Sequence, residues 1–181
     1  MSFEEAVPLE VVAGVVRALE VAEQRLFELC GRWAADGDEP AARVFFSSQS
    51  ALHAWRAEEW RRRRPRSALL EGGSADGSLL PAGWEPAVAR AEALEADVAR
   101  VAVWLDLLVP ALLNGMRRGG SGLGEVADAG LRRLVRLFGD DLLEQWAAGQ
   151  ALLAQLATPP SAAAAAAGAI GELLPVLWAR E

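Results

Sequence analysis

Glu23, His53 and Glu95 stand at positions where the spacing of their neighbours calls for apolar side chains. Burying an ionised carboxylate without a partner costs several kcal/mol, so a core position seldom holds one idly. Two carboxylates and one imidazole make a ligand set for a divalent metal, iron and zinc among them. The same three groups without a metal make a buried polar network, with His53 bonded to Glu23 or Glu95. A different helix register would instead leave one or both acids in solvent. Asp141, with Gln145 four residues on, is a fourth candidate ligand.

Long helices are needed to bring these residues together. Val12, Val16, Leu19, Glu23, Leu26, Cys30 and Trp33 recur in steps of four and three, which predicts a helix over 9–35 with Glu23 on its inner face. Asp36-Gly37-Asp38-Glu39-Pro40 stops it, and Pro40 suits the first turn of the next helix. That second helix, about 40–64, carries Phe46, Ser50, His53, Ala57 and Trp60 on one stripe and ends at Pro65. Residues 65–84 hold four glycines, Gly72, Gly73, Gly77 and Gly83, and predict an irregular connection. Such a length is unusual inside a domain unless the chain has a bundle to cross, with Leu69, Leu70, Leu79 and Leu80 pinning it. Val88, Ala91, Glu95, Val98, Ala102, Leu105, Val109 and Leu112 predict a third helix over 85–116, kinked by Pro110. A fourth covers 124–157, with Gly130 and Gly139 as points of interruption, and an alanine-rich fifth covers 161–179. The expectation is one all-α domain over 1–181, with a core bundle at 9–157 and a C-terminal helix beside it.

Four helices joined by a short, a long and a short link have the connectivity of a ferritin-like bundle. Helix two reads Ser50-Ala51-Leu52-His53, and helix four reads Leu142-Leu143-Glu144-Gln145. Both look like a Glu-x-x-His motif, with Ser50 replacing the acid in one and Leu142 and Gln145 replacing both ligands in the other. Over about residues 10–157 the chain resembles the ferritin-like four-helix-bundle superfamily, in particular small proteins of high-GC bacteria likened to tRNA-modifying di-iron hydroxylases. There, each of two helices gives a Glu and each of the other two gives a Glu-x-x-His pair. Carried onto this chain, the resemblance implies Glu23, His53 and Glu95 as surviving ligands, with Asp141 as an added candidate. Leucine binds no metal, and two hard cations about 3.5–4 Å apart need bridging carboxylates between them. The resemblance therefore implies a bundle that has lost its two-metal site, a non-catalytic or interaction protein needing no cofactor. The alternative is an iron-dependent oxidoreductase or hydroxylase with an altered ligand set.

The net charge is −7 and, with no lysine present, arginine carries all the positive side-chain charge. An acidic chain is a poor general nucleic-acid binder. The run Arg61–Arg64 is expected to be neutralised by its helix dipole and by neighbouring acids, with RNA contact as a second alternative. Cys30, the one cysteine, excludes an intrachain disulfide and falls on an apolar stripe as an inert thiol. The start of the chain has neither a positive segment nor an early apolar run, and the apolar stretch Val101–Leu113 is too short to span a bilayer. These features predict a cytoplasmic protein away from membranes. Seven tryptophans without one tyrosine are read as core and interface packing, with Trp84 and Trp178 near element ends as candidates for a homodimer contact. Phosphate-binding loops, dinucleotide fingerprints and zinc-finger spacings are absent from the sequence.

Overall fold

A computed structural model of the chain describes residues 7–66 and 79–179. Six helices carry these residues, and no strand occurs among them: α1 (Leu9–Asp36), α2 (Pro40–Arg62), α3 (Trp84–Glu92), α4 (Asp97–Ser121), α5 (Ala129–Leu156) and α6 (Pro160–Leu177). The fold is all-α, as expected. Helices α1, α2 and α6 begin and end within two residues of the spans that periodicity and proline placement predict. α5 starts at Ala129 rather than at 124, so 125–128 form a turn immediately before Gly130, while Gly139 does not interrupt the helix.

α1 and α2 form a tight antiparallel pair. The Ser50 hydroxyl donates to the Phe27 carbonyl at 3.0 Å, and Gly31 leaves room for that hydroxyl at the interface. The turn between them is held from outside. The Asp97 carboxylate, at the start of α4, accepts from the backbone N–H groups of Asp38 (2.9 Å) and Glu39 (2.8 Å), satisfying donors that the N-terminus of α2 leaves open. Arg100 completes the clamp, bonding Asp97 at 3.0 Å and the Leu94 carbonyl at 2.8 Å.

At the opposite end, Arg64 pairs with Glu20 as α2 finishes. Leu79 and Leu80 lie against Gly115 and Gly119, at that same end of the bundle, where Gly119 also meets Val15. Leu69 and Leu70, expected to pin the connection, fall outside the described residues. The expected crossing of the bundle by residues 65–84 is therefore not seen: Arg64 and Leu79 lie at one end, and the lengthwise return is made by α3, which climbs beside α1. Glu85 bonds Arg25, while Glu92 bonds both Arg25 and Arg32, the latter about two turns further along α1. α4 therefore starts at the α1–α2 turn and runs down parallel to α2, and α5 returns antiparallel to it. Val135 packs on Gly120, the Trp146 indole donates to the Leu105 carbonyl at 3.1 Å, and Gly149 meets Leu105 and Phe45. α6 descends along α3 and α4, with Ala166 beside Val98 and Ala102 and its last turn crossing Gly83.

The third helix departs from expectation in two ways. The span 85–116 is not continuous, because residues 93–96 leave the helix between α3 and α4. Glu95 lies in that break and is exposed, which removes it from the core stripe. At Pro110 the helix stays continuous but leaves the regular α ladder. Pro110 has no N–H to bond the Asp106 carbonyl, and the helix absorbs this by widening into a π-turn over Trp104–Leu108, where the Val109 N–H bonds the Trp104 carbonyl five residues back. Upstream of the π-turn α4 packs chiefly on α6; downstream it packs on α5 and α1. Trp84 is buried in the core, so it is not available to a partner, whereas Trp178 is half exposed.

Candidate functional site

Glu23 and His53 do meet. Successive apolar steps along α1 carry Glu23 inward between Leu19 and Leu26, and the stripe of α2 carries His53 inward between Phe46 and Trp60. Both side chains are fully buried, and His53 Nδ1 lies 2.6 Å from Glu23 Oε2. A third group completes the cluster. Arg56, one turn beyond His53 on the same face and also fully buried, donates from Nε to Glu23 Oε1 at 3.0 Å. Its two terminal nitrogens both point at Gln145 Oε1 on α5, at 3.5 Å each, and Nη2 lies 3.0 Å from His53 Nδ1. α1, α2 and α5 are thus joined through one carboxylate, one imidazole, one guanidinium and one amide.

The charges decide the proton positions. A carboxylate facing a guanidinium accepts hydrogen bonds and donates none. His53 Nδ1 must therefore carry its proton toward Glu23, and the nearby Nη2 is a close neighbour of that N–H rather than a donor to it. His53 Nε2 is then a bare lone pair on the far side of the ring, with no hydrogen-bond partner among the described residues. The Trp104 ring, from the first residue of the π-turn, meets the imidazole edge to face at a centroid distance of 6.3 Å. Gln49 Oε1, one turn before His53 on the same helix, also lacks a partner among the described residues.

Burial pushes the His53 pKa below its ordinary value, against the opposing pull of Glu23. The imidazole is neutral in the fold. Below about pH 6.5 the unfolded chain takes up a proton that the fold resists. Stability is therefore full above that pH and falls as the pH drops toward the lowered folded value, by at most about 1.4 kcal/mol per pH unit. His53 is the one histidine, so few other groups titrate between pH 5.5 and 7. Urea midpoints should decline across this window in the parent protein and stay level in His53→Gln. A level parent profile would show that the cluster accommodates imidazolium.

The remaining candidates lie elsewhere. Glu95 is in the exposed break, away from the cluster, and Asp141 is half-buried on α5 one turn before Gln145. Ser50 is committed to the Phe27 carbonyl and Leu142 is buried among apolar residues. Cys30 is buried as well, and burial pushes its thiol well above the ordinary range, more strongly than Arg56 draws it down. It is an inert core thiol.

A two-cation centre does not fit this arrangement. Among the described residues no three of His, Cys, Asp and Glu converge on a point suited to a metal ion. Both oxygens of the Glu23 carboxylate are engaged, and a permanent cation, Arg56, already holds one of them. A metal would have to displace the guanidinium and share the interior with it. Arg56 is the residue that helix spacing failed to single out. Its signal was present, as a charge three residues from His53 and four from Trp60 on one stripe, but it reads equally well as part of the charged run that follows.

That run is internally paired. Arg61 and Arg62 bond Glu58, Arg62 and Arg63 bond Glu59, and Arg64 bonds Glu20. The bonds from Arg61 and Arg63 hold the Glu58 and Glu59 carboxyls below their ordinary pKa. The cluster is therefore partly neutralised by its own acids, which weakens it as a phosphate-binding surface. No family model matches the chain, and neither a curated protein nor a solved structure matches it.

Proposed function

We propose that the chain is a ferritin-like bundle without a metal centre, a non-catalytic protein that works through interaction with partners. One observation carries this reading: Arg56 donates to the Glu23 carboxylate that a metal would require. The cluster balances its own charge, −1 on Glu23 against +1 on Arg56 around a neutral imidazole, and has no excess negative charge for divalent ions. The topology supports the ferritin-like part. Two antiparallel pairs, α1–α2 and α4–α5, are joined by a return along the bundle, and ferritin-like bundles have one such crossover.

Metal analysis of protein purified without chelator tests the proposal. Iron, manganese and zinc are expected well below one per chain, and His53→Ala should not change that content. Near-stoichiometric metal that disappears in His53→Ala would overturn the reading in favour of an iron-dependent oxidoreductase or hydroxylase.

A further inference from the structure

Two buried acceptors stand one turn apart on the inner stripe of α2. His53 Nε2 is a lone pair once Nδ1 carries the ring proton, and Gln49 Oε1 precedes it by four residues. Both side chains are buried, and neither atom has a hydrogen-bond partner among the described residues. Side chains four apart on a helix share a face, about 5–6 Å from each other. Trp104 covers this stretch from α4. Its ring packs edge to face on Phe45 at 5.3 Å and on His53 at 6.3 Å, the residues one turn before and one turn after Gln49. The donors nearby are committed elsewhere. Arg56 directs its nitrogens to Glu23 and Gln145, on the Nδ1 side of the imidazole. The Trp104 indole nitrogen, which makes no full hydrogen bond of its own, lies beside the Cys30 thiol.

We infer that this spot is a binding site for one internal water molecule, which donates one O–H to His53 Nε2 and the other to Gln49 Oε1. An acceptor buried bare loses the bonds it made to solvent in the unfolded chain, and folded interiors seldom leave one so. Two acceptors without a donor call for a small molecule with two donors, which is what water offers. Two bonds of about 2.8 Å from one oxygen span acceptors about 4.5 Å apart, a separation that side chains one turn apart can reach. Ammonium also has several donors. It would set a second cation beside Arg56, where both oxygens of the Glu23 carboxylate are already engaged. The consequence falls on the imidazole. Glu23 holds the ring at Nδ1 and the water holds it at Nε2, so both nitrogens are fixed and the proton stays on Nδ1. The inference rests on the tautomer that Glu23 and Arg56 impose, so it stands or falls apart from the ferritin-like reading.

Water-selective NOE and ROE spectra of the full chain test this. His53 is the one histidine, so its ring protons are assigned without ambiguity. Hδ2 is the diagnostic proton, because it adjoins Nε2 and lies away from the exchangeable proton on Nδ1. The parent is expected to show a direct water cross-peak at Hδ2, together with the nitrogen-15 shifts of an imidazole protonated at Nδ1 alone. Gln49→Met removes one acceptor at similar volume. There the Hδ2 cross-peak should be lost while the near-ultraviolet circular dichroism stays that of the parent. A parent without the Hδ2 cross-peak would overturn the inference, as would an undiminished cross-peak in Gln49→Met. A coupling across a hydrogen bond from the Gln49 amide nitrogen to His53 Nε2 would overturn it too, by showing that the side chain bonds the ring directly. The parent spectra alone decide the matter if Gln49→Met does not fold.

Discussion

Replacing Arg56 with alanine is expected to destabilise the fold by about 3–5 kcal/mol, the range for removing one partner of a buried ion pair. The loss has a specific origin. Glu23 is fully buried, and without the guanidinium its carboxylate keeps one partner, the His53 N–H, for a full charge. The truncated site would also leave space where one of the largest fully buried side chains now stands. Removing both charges should be far milder, because a pair replaced by neutral groups of similar volume strands no charge. In Glu23→Gln/Arg56→Met the glutamine oxygen can still accept from His53. Urea denaturation of the parent, the two single variants and the double variant gives a coupling energy, expected at about 2–3 kcal/mol. Additive single effects would show that the two groups act independently, and the charge-balance account of the cluster would then fall.

Gly83→Ala is the second large effect. The backbone at Gly83 has ordinary dihedral angles, φ −79° and ψ 9°, so the requirement there is for space rather than for conformational freedom. An added Cβ would overlap the carbonyl group of Val176 and crowd that of Leu177, all backbone atoms of the last turn of α6. No rotamer change can relieve that overlap. Either α3 or the end of α6 must move, at a cost near the upper end of overpacking penalties, about 3 kcal/mol. Hydrogen exchange should localise the damage to α6, as Leu173 and Leu177 lose their seats. Gly130→Ala is the control, since its Cβ would meet nothing within 4 Å, and it should hold or slightly raise stability. Equal urea midpoints for the two variants would contradict the close crossing of α3 and α6.

The contrast between these sites shows what local sequence can convey. Helices α1 and α2 were legible because their apolar spacing, their stop at Asp36–Pro40 and their burial all agree. Glu23 and His53 were legible for the same reason, as polar residues on otherwise apolar stripes. The break at 93–96 was not. Ala93, Leu94, Glu95 and Ala96 are good helix formers, and the period of three and four runs through them without a fault. The contact that accompanies the break is distant: Asp97 caps the start of α2, 58 residues away, while Arg100 locally takes the Leu94 carbonyl. Glu95 was accordingly assigned to the interior by a periodicity that the tertiary structure overrides. Arg56 was missed for the opposite reason. Its neighbours are so heavily charged that one buried guanidinium hides among exposed ones, and Gln145, which marks the outer end of the cluster, lies 89 residues away from it in the chain.

The π-turn in α4 has a consequence for the shape of the whole bundle. One extra residue in the ladder advances the helix by about 100°, so the two ends of a single rod are out of phase with each other. The half beginning at Asp97 directs its apolar side chains toward α6, and the half ending at Ser121 directs its own toward α5 and α1. A strictly regular helix of the same sequence would aim Leu112 and Met116 away from those neighbours and deprive α5 of its supporting wall. By withholding one amide hydrogen, Pro110 lets a single strut brace three others on two different sides.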